Sequence, residues 1–198
     1  DSDEKGISGI GVSDGRVVVL TDKNGKYELP NTDYSSKFVC VSIPRDYQKT
    51  PNFYINLDNI TTKQNFDFGL QTSKQKDNKN FRFVQTTDIH IGGPQDEKQF
   101  TDCINELNNL SKDVSFIIAT GDLVNSGFKM DQLQTYANGI KTSTHPWYSV
   151  FGNHDADDWT KSNMEDFTKT FRHFLGPDYY SFDYSDYHFV ILNSIRLI

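Results

Sequence analysis

The chain has 198 residues, with 20 Lys and Arg against 27 Asp and Glu, for a formal net charge of −7. Residues 1–80 carry 11 charges of each sign, so residues 81–198 hold the whole negative balance, together with all five histidines. A carboxylate surplus suits cations and repels polyanions, so no nucleic acid polymer is expected as a partner, and no apolar run approaches the ~18 residues of a bilayer span.

From residue 7 to residue 70 the texture is that of short strands separated by turn residues. Ser13-Asp14-Gly15 and Asp22-Lys23-Asn24-Gly25 flank a strand at 16–20, because Asp-Gly and Asn-Gly accept the positive φ that tight hairpins need. Further strands are expected at 26–29, 38–43, 53–57 and 65–70, with no helical period, giving a small antiparallel β-sandwich over 1–72. Cys40 and Cys103 form no C-x-x-C pair and are read as two structural thiols. Asn59-Ile60-Thr61 fits a glycosylation sequon, a tripeptide frequent by chance. Residues 73–80 lack any apolar side chain and read as an exposed linker.

From Phe81 onward strands alternate with helices. Apolar runs at 81–85, 114–119 and 147–150 predict buried strands, and helical periods predict helices at 96–111, 130–141 and 162–175. Ser162 with Glu165 forms a capping box for the last helix, and Gly176-Pro177 ends it. Residues 179–183 and 188–193 predict two closing strands. The alternation argues for an α/β layered domain over 81–198.

Three fragments fall where predicted strands end: Asp88-Ile89-His90, Gly121-Asp122 and Gly152-Asn153-His154-Asp155. In an open α/β sheet, that edge is where ligands bind. Carboxylate and amide oxygens suit hard divalent cations and imidazole suits borderline transition metals, so Asp88, His90, Asp122 and Asn153 offer a mixed ligand set. If the strand continues through Asp88 and His90, their i, i+2 spacing turns both toward one ion. His154, beside Asn153, is the candidate general acid, with Asp155 behind its ring; a metal-ligand role for His154 fits the same sequence. Read singly, these fragments could be ordinary turns. His145 is read as a loop residue, and His173 and His188 as half-buried structural histidines.

In this order and on this α/β pattern, the three fragments resemble the calcineurin-like metallophosphoesterases. The resemblance implies that Asp88 and His90 hold a first metal, Asp122 bridges, Asn153 holds a second, and His154 meets the leaving group. It implies two divalent or trivalent transition-metal ions (manganese, iron, zinc or cobalt), a shared hydroxide as nucleophile, and a small phosphomonoester or phosphodiester as substrate. The pattern G-x-G-V-S-D-G-x-V-V-V-L-T-D-x-x-G-x-Y-x-L over residues 9–29 resembles the transthyretin-like or carboxypeptidase-regulatory-like modules placed before secreted enzymes, and the resemblance covers about the first third of the chain. That implies a periplasmic, cell-surface or secreted protein whose β-module docks to a surface, a glycan or a partner. Family members complete their site with downstream histidines, including a G-H-x-H; none is matched here. The chain is therefore expected to be the amino-terminal part of the phosphoesterase domain, with impaired activity on its own. The alternative is a noncatalytic binding module with a vestigial phosphoesterase half.

Overall fold

The computed structural model describes residues 5–30, 36–50, 52–57, 64–73, 79–109, 114–157 and 167–195. The chain forms two compact units. The first comprises Asp1–Lys79 with Tyr180–Val190, and the second comprises Asn80–Tyr179 with Ile191–Ile198. The class is α/β, with a β-rich amino-terminal unit.

In the first unit, β1 (Gly11–Ser13), β2 (Val18–Leu20), β3 (Phe38–Val41) and β5 (Tyr54–Asn56) form an antiparallel sheet in the order β2-β1-β3-β5. Asp14 closes the β1–β2 turn: its Oδ1 accepts from the N–H groups of Arg16 and Val17, both at 2.9 Å, and its Oδ2 accepts from Ser36 Oγ at 3.1 Å. Central β3 is buried along its whole length. β4 (Tyr47–Gln48) pairs with β6 (Gln71–Thr72).

The predicted strands at 26–29 and 65–70 do not form. Asp22 explains the first: its Oδ1 accepts from the N–H groups of Asn24 and Lys26 at 2.8 Å, which folds that segment into a local loop instead of a ladder. Pairing in the second region begins only at Gln71. The sequon lies outside the described residues.

Two late strands, β10 (Tyr180–Tyr184) and β11 (Tyr187–Ile191), make a hairpin whose turn holds Ser185 at φ 53°. Tyr180–Val190, expected as part of the 81–198 domain, is grouped with the first unit. Ile43 bridges Phe182, Asp183 N–H donates to the Ile43 carbonyl at 2.8 Å, and the Ser42 and Ser181 hydroxyls meet at 2.8 Å. Phe182 is fully buried. Such pairing across some 140 residues leaves no trace in a local hydrophobic period. His188, expected to be half-buried, is exposed on β11 with Nδ1 at 2.5 Å from Asp183 Oδ1.

The second unit is a parallel three-stranded sheet, β7 (Arg82–Thr86), β8 (Val114–Thr120) and β9 (Trp147–Val150), in the order β7-β8-β9. Helix α1 (Pro94–Asn109) runs between the first two strands and α2 (Met130–Ile140) between the last two, as parallel crossovers require. Phe100, Ile104 and Leu107 of α1 recur at helical spacing and share one core with Leu133 and Tyr136 of α2 and with Ile117, Ala119 and Trp147 of the sheet. Gly139 lets the helices close: a Cβ there would stand 2.5 Å from Phe100 Cε1. Inside this core the Tyr136 hydroxyl meets Ser149 Oγ at 3.0 Å. Of the two thiols read as structural, Cys103 on α1 is exposed, whereas Cys40 on β3 is buried.

The third helix, α3, covers Lys169–Leu175 and ends at Gly176, φ 97°. Its expected capping box lies outside the described residues; within them Asp157 accepts from the Thr170 N–H at 3.0 Å and from its hydroxyl, anchoring the first turn. His173 on this helix is exposed. Among the described residues no helix is long and apolar enough to cross a membrane.

Candidate metal centre

All three fragments lie past the carboxyl ends of the parallel strands, and the backbone there is unusual. Asp88, His90 and Asp122 occupy the left-handed region at φ 54°, 51° and 51°, three of the four non-glycine residues that do so among those described. Each such residue costs on the order of 1 kcal/mol, so the conformation persists only where surrounding bonds impose it. Those bonds are present. Asp88 N–H donates to Gly121 O at 3.2 Å, His90 N–H to Asp122 O at 3.1 Å, Ile91 N–H to Leu123 O at 3.2 Å, and Asn125 N–H to Ile91 O at 3.0 Å.

The expectation of an extended strand through Asp88 and His90 is therefore corrected. β7 stops at Thr86, and two left-handed residues, rather than strand alternation, set the side chains. Asp and His are among the residues that tolerate this region best.

His90, Asp122 and His154 each bring one ligand atom to within 4.8 Å of the others. His90 Nε2 stands 3.7 Å from Asp88 Oδ1 and 3.9 Å from Asp122 Oδ2. Two donors at ~2.1 Å from one ion stand at most ~4.2 Å apart, so these spacings fit ligands of a common cation. Both exceed hydrogen-bonding length. Oxygen and imidazole donors together suit a divalent transition metal. Asp88 also accepts from Thr87 Oγ at 2.6 Å, which fixes its second oxygen.

Asn153 opens a single 3-10 turn, Asn153–Asp155, and is exposed. The His154 N–H donates to Asp122 Oδ1 at 3.0 Å, and the rings of His90 and His154 meet edge to face at 4.5 Å. His154 Nδ1 lies 3.0 Å from the Asn125 carbonyl oxygen. A carbonyl only accepts, so Nδ1 carries a proton and Nε2 is the nitrogen left for a metal or a substrate.

Asp155, read from sequence as the group behind the His154 ring, is placed otherwise; the Asn125 carbonyl takes that position. The Asp155 side chain is fully buried. Its Oδ1 accepts from the N–H groups of Leu123 at 2.8 Å and Val124 at 3.0 Å, and its Oδ2 from Gly152 N–H at 2.9 Å. Burial pushes its carboxyl up to about 7, against the pull of those three N–H groups and with the Asp122 charge adding to the rise. The roles of Asn125 and Asp155 were hidden because main-chain partners carry no sequence signature.

Glycines let the loops touch. A Cβ on Gly152 would lie 2.1 Å from Asp122 N and 2.3 Å from its Oδ1, and one on Gly127 would lie 2.0 Å from Asp155 O. G-N-H-D thus needs Gly152 for close approach, and G-D needs Gly121 for its φ of 96° and for the Gly152 Cα that would lie 3.0 Å from a Cβ there.

Residues 81–195, more than half of the chain, match the model of the calcineurin-like phosphoesterase domain. The chain belongs to the calcineurin-like phosphoesterases. Residues 1–73 match the model of the N-terminal domain of calcineurin-like phosphoesterase, so the β-rich unit also has a counterpart in that family. No curated protein matches the chain. Calcineurin-like phosphoesterases hydrolyse phosphoesters with divalent metals, and the cluster of His90, Asp122 and His154 is a candidate for holding one.

Proposed function

We propose that the chain carries metal ligands of a two-metal phosphoester hydrolase acting on a small phosphomonoester or phosphodiester. The convergence of His90, Asp122 and His154 at strand ends is the observation that supports this most. Asp88 and His90 would hold a first ion, Asp122 would contact both, and Asn153 would contribute to a second; manganese, iron, zinc and cobalt all suit this donor set. When bound, the metals supply Lewis acidity toward phosphoryl oxygens and a water acidified into a neutral-pH nucleophile.

The residues of the chain orient and move protons. Asp122 Oδ1 is held by the His154 N–H, which leaves Oδ2 directed toward His90. The Asn125 carbonyl holds the His154 ring by Nδ1–H, so that Nε2 faces the substrate and, in the doubly protonated ring, would give its proton to the departing alkoxide and return to the neutral Nδ1–H form. The β-rich unit would dock to a surface, a glycan or a partner, and its resemblance to modules of secreted enzymes supports a periplasmic, cell-surface or secreted location.

The test is bound transition metal per chain together with hydrolysis of p-nitrophenyl phosphate and bis-p-nitrophenyl phosphate, before and after chelation. Metal-dependent turnover that chelation abolishes and added manganese or zinc restores is the expected result. Turnover that survives complete metal removal would sink the reading.

A further inference from the structure

We propose that Asp155 is a positioning residue that sets the distance between the two loops bearing the metal ligands. It does this through main-chain bonds alone. Its Oδ1 takes the N–H groups of Leu123 and Val124, the two residues after Asp122, while its Oδ2 takes the N–H of Gly152, the residue before Asn153. One fully buried carboxylate thereby joins the Gly121-Asp122 loop to the Gly152–His154 turn, and every contact uses it as an acceptor.

The geometry around this clamp leaves little slack. Asp122 N lies 2.1 Å from the position of a Gly152 Cβ, and the Asp155 carbonyl oxygen lies 2.0 Å from that of a Gly127 Cβ. With both approaches this tight, a change of a few tenths of an ångström at Asp155 passes directly to Asp122 Oδ1 and to the His154 N–H it accepts from. The left-handed backbone at Asp122 would otherwise relax, since a lone residue at φ 51° has no intrinsic reason to stay there. Asp155 thus acts on the metal through Asp122 and Asn153, without touching it.

This inference rests on the metal-binding reading for its consequence, but the clamp itself can be measured in metal-free protein. The test uses the full chain with Asp155→Asn and Asp155→Ala, and Gly139→Ala as a control that disturbs the same unit at the contact of α1 with α2. Amide hydrogen exchange of the metal-free proteins is followed at residues 121–125 and 152–155, and manganese and zinc affinities are measured by titration calorimetry. An Asn can keep only part of the acceptor set, so a graded result is expected. Both loops should exchange faster together, with α2 unchanged. Affinity should fall about tenfold or more in Asp155→Asn and further in Asp155→Ala, while Gly139→Ala lowers the melting temperature and leaves affinity within about twofold.

Faster exchange confined to one loop, or unchanged affinity in a folded Asp155→Asn, overturns the proposal. If Asp155→Ala does not fold, Asp155→Asn decides alone; if Asp155→Asn shows native exchange at both loops, the clamp is refuted. Wild-type chain that binds neither ion tells against the proposed function instead, and the exchange data then judge the clamp.

Discussion

The main-chain N–H of His154 donates to Oδ1 of Asp122 at 3.0 Å, so the two residues are joined by a bond that does not depend on the histidine ring. Removing the ring and removing the carboxylate should therefore have different effects. Asp122→Asn should lower bound metal about tenfold or more, because the one negative charge in the cluster of His90, Asp122 and His154 is lost. His154→Ala keeps the N–H and should retain metal while turnover falls about 10²- to 10⁴-fold. Metal analysis of both variants separates the roles: a matching loss of metal in His154→Ala would make that histidine a ligand rather than an acid.

Gly152→Ala places a methyl group 2.1 Å from Asp122 N. The backbone of one loop must then move, and an alanine elsewhere in a loop would cost little. We expect metal binding and turnover to be lost while the far-ultraviolet circular dichroism stays native. Wild-type metal affinity in Gly152→Ala would contradict the close approach described here.

Much of the site was legible because its chemistry is written in side chains. Asp88, His90 and Asp122 declare themselves by type and by their place after apolar runs. What could not be read was the means of holding them. The left-handed backbone at Asp88 and His90, the carbonyl of Asn125 against the His154 ring, and the three N–H groups on Asp155 are all main-chain features, and the main chain is the same at every position. The sheet of the second unit was legible for a related reason: Ile117, Ile118 and Ala119 form a continuous apolar run whose burial follows from composition. The strands at 26–29 and 65–70 were over-read because β-prone residues say nothing about whether a neighbour is present to pair with.

Alanine is the better helix former by ~1 kcal/mol, yet Gly139→Ala should destabilise the second unit. A Cβ at that position meets Phe100 Cε1 at 2.5 Å and Ile104 Cδ1 at 3.3 Å, so α1 and α2 must separate. Overpacking of this kind costs about 1 to 3 kcal/mol, which exceeds the gain in propensity. Chemical denaturation of the variant checks the sign, and a more stable Gly139→Ala would refute the packing argument.

Asp14 gives the first unit an acid-sensitive element. Burial alone would raise its carboxyl, but the N–H groups of Val17 and Arg16 and the Ser36 hydroxyl hold it below the ordinary value of 3.8. A depressed folded value means that its stabilisation is fully present above about pH 4 and is lost as pH falls through the lower, folded value. Asp14→Asn should flatten the pH dependence of unfolding below pH 4 and cost about 1 to 3 kcal/mol at neutral pH. An unchanged acid limb in the variant would show that another carboxylate is responsible.

The two thiols should differ sharply toward a disulfide reagent in native protein. Burial pushes Cys40 up to about 12, with the nearby Asp14 charge adding to it, whereas Cys103 is exposed on α1. One thiol should react promptly and the second only after denaturant is added. Two equally fast thiols would mean that β3 opens readily.

The hairpin Tyr180–Val190 completes a unit that begins at the amino terminus, with about a hundred residues of the other unit intervening in the chain. During synthesis at ~5 to 20 residues per second, the sheet around β3 must therefore wait roughly 5 to 20 s for Phe182 to arrive and pair with Ile43. Through that interval β3 already has β1 and β5 on its two sides, and what is missing is the bridge from Ile43 to Phe182 and the bond from the Asp183 N–H to the Ile43 carbonyl. The unit that starts first is thus not finished first: its last hairpin arrives only after the chain from Asn80 to Tyr179 has been made.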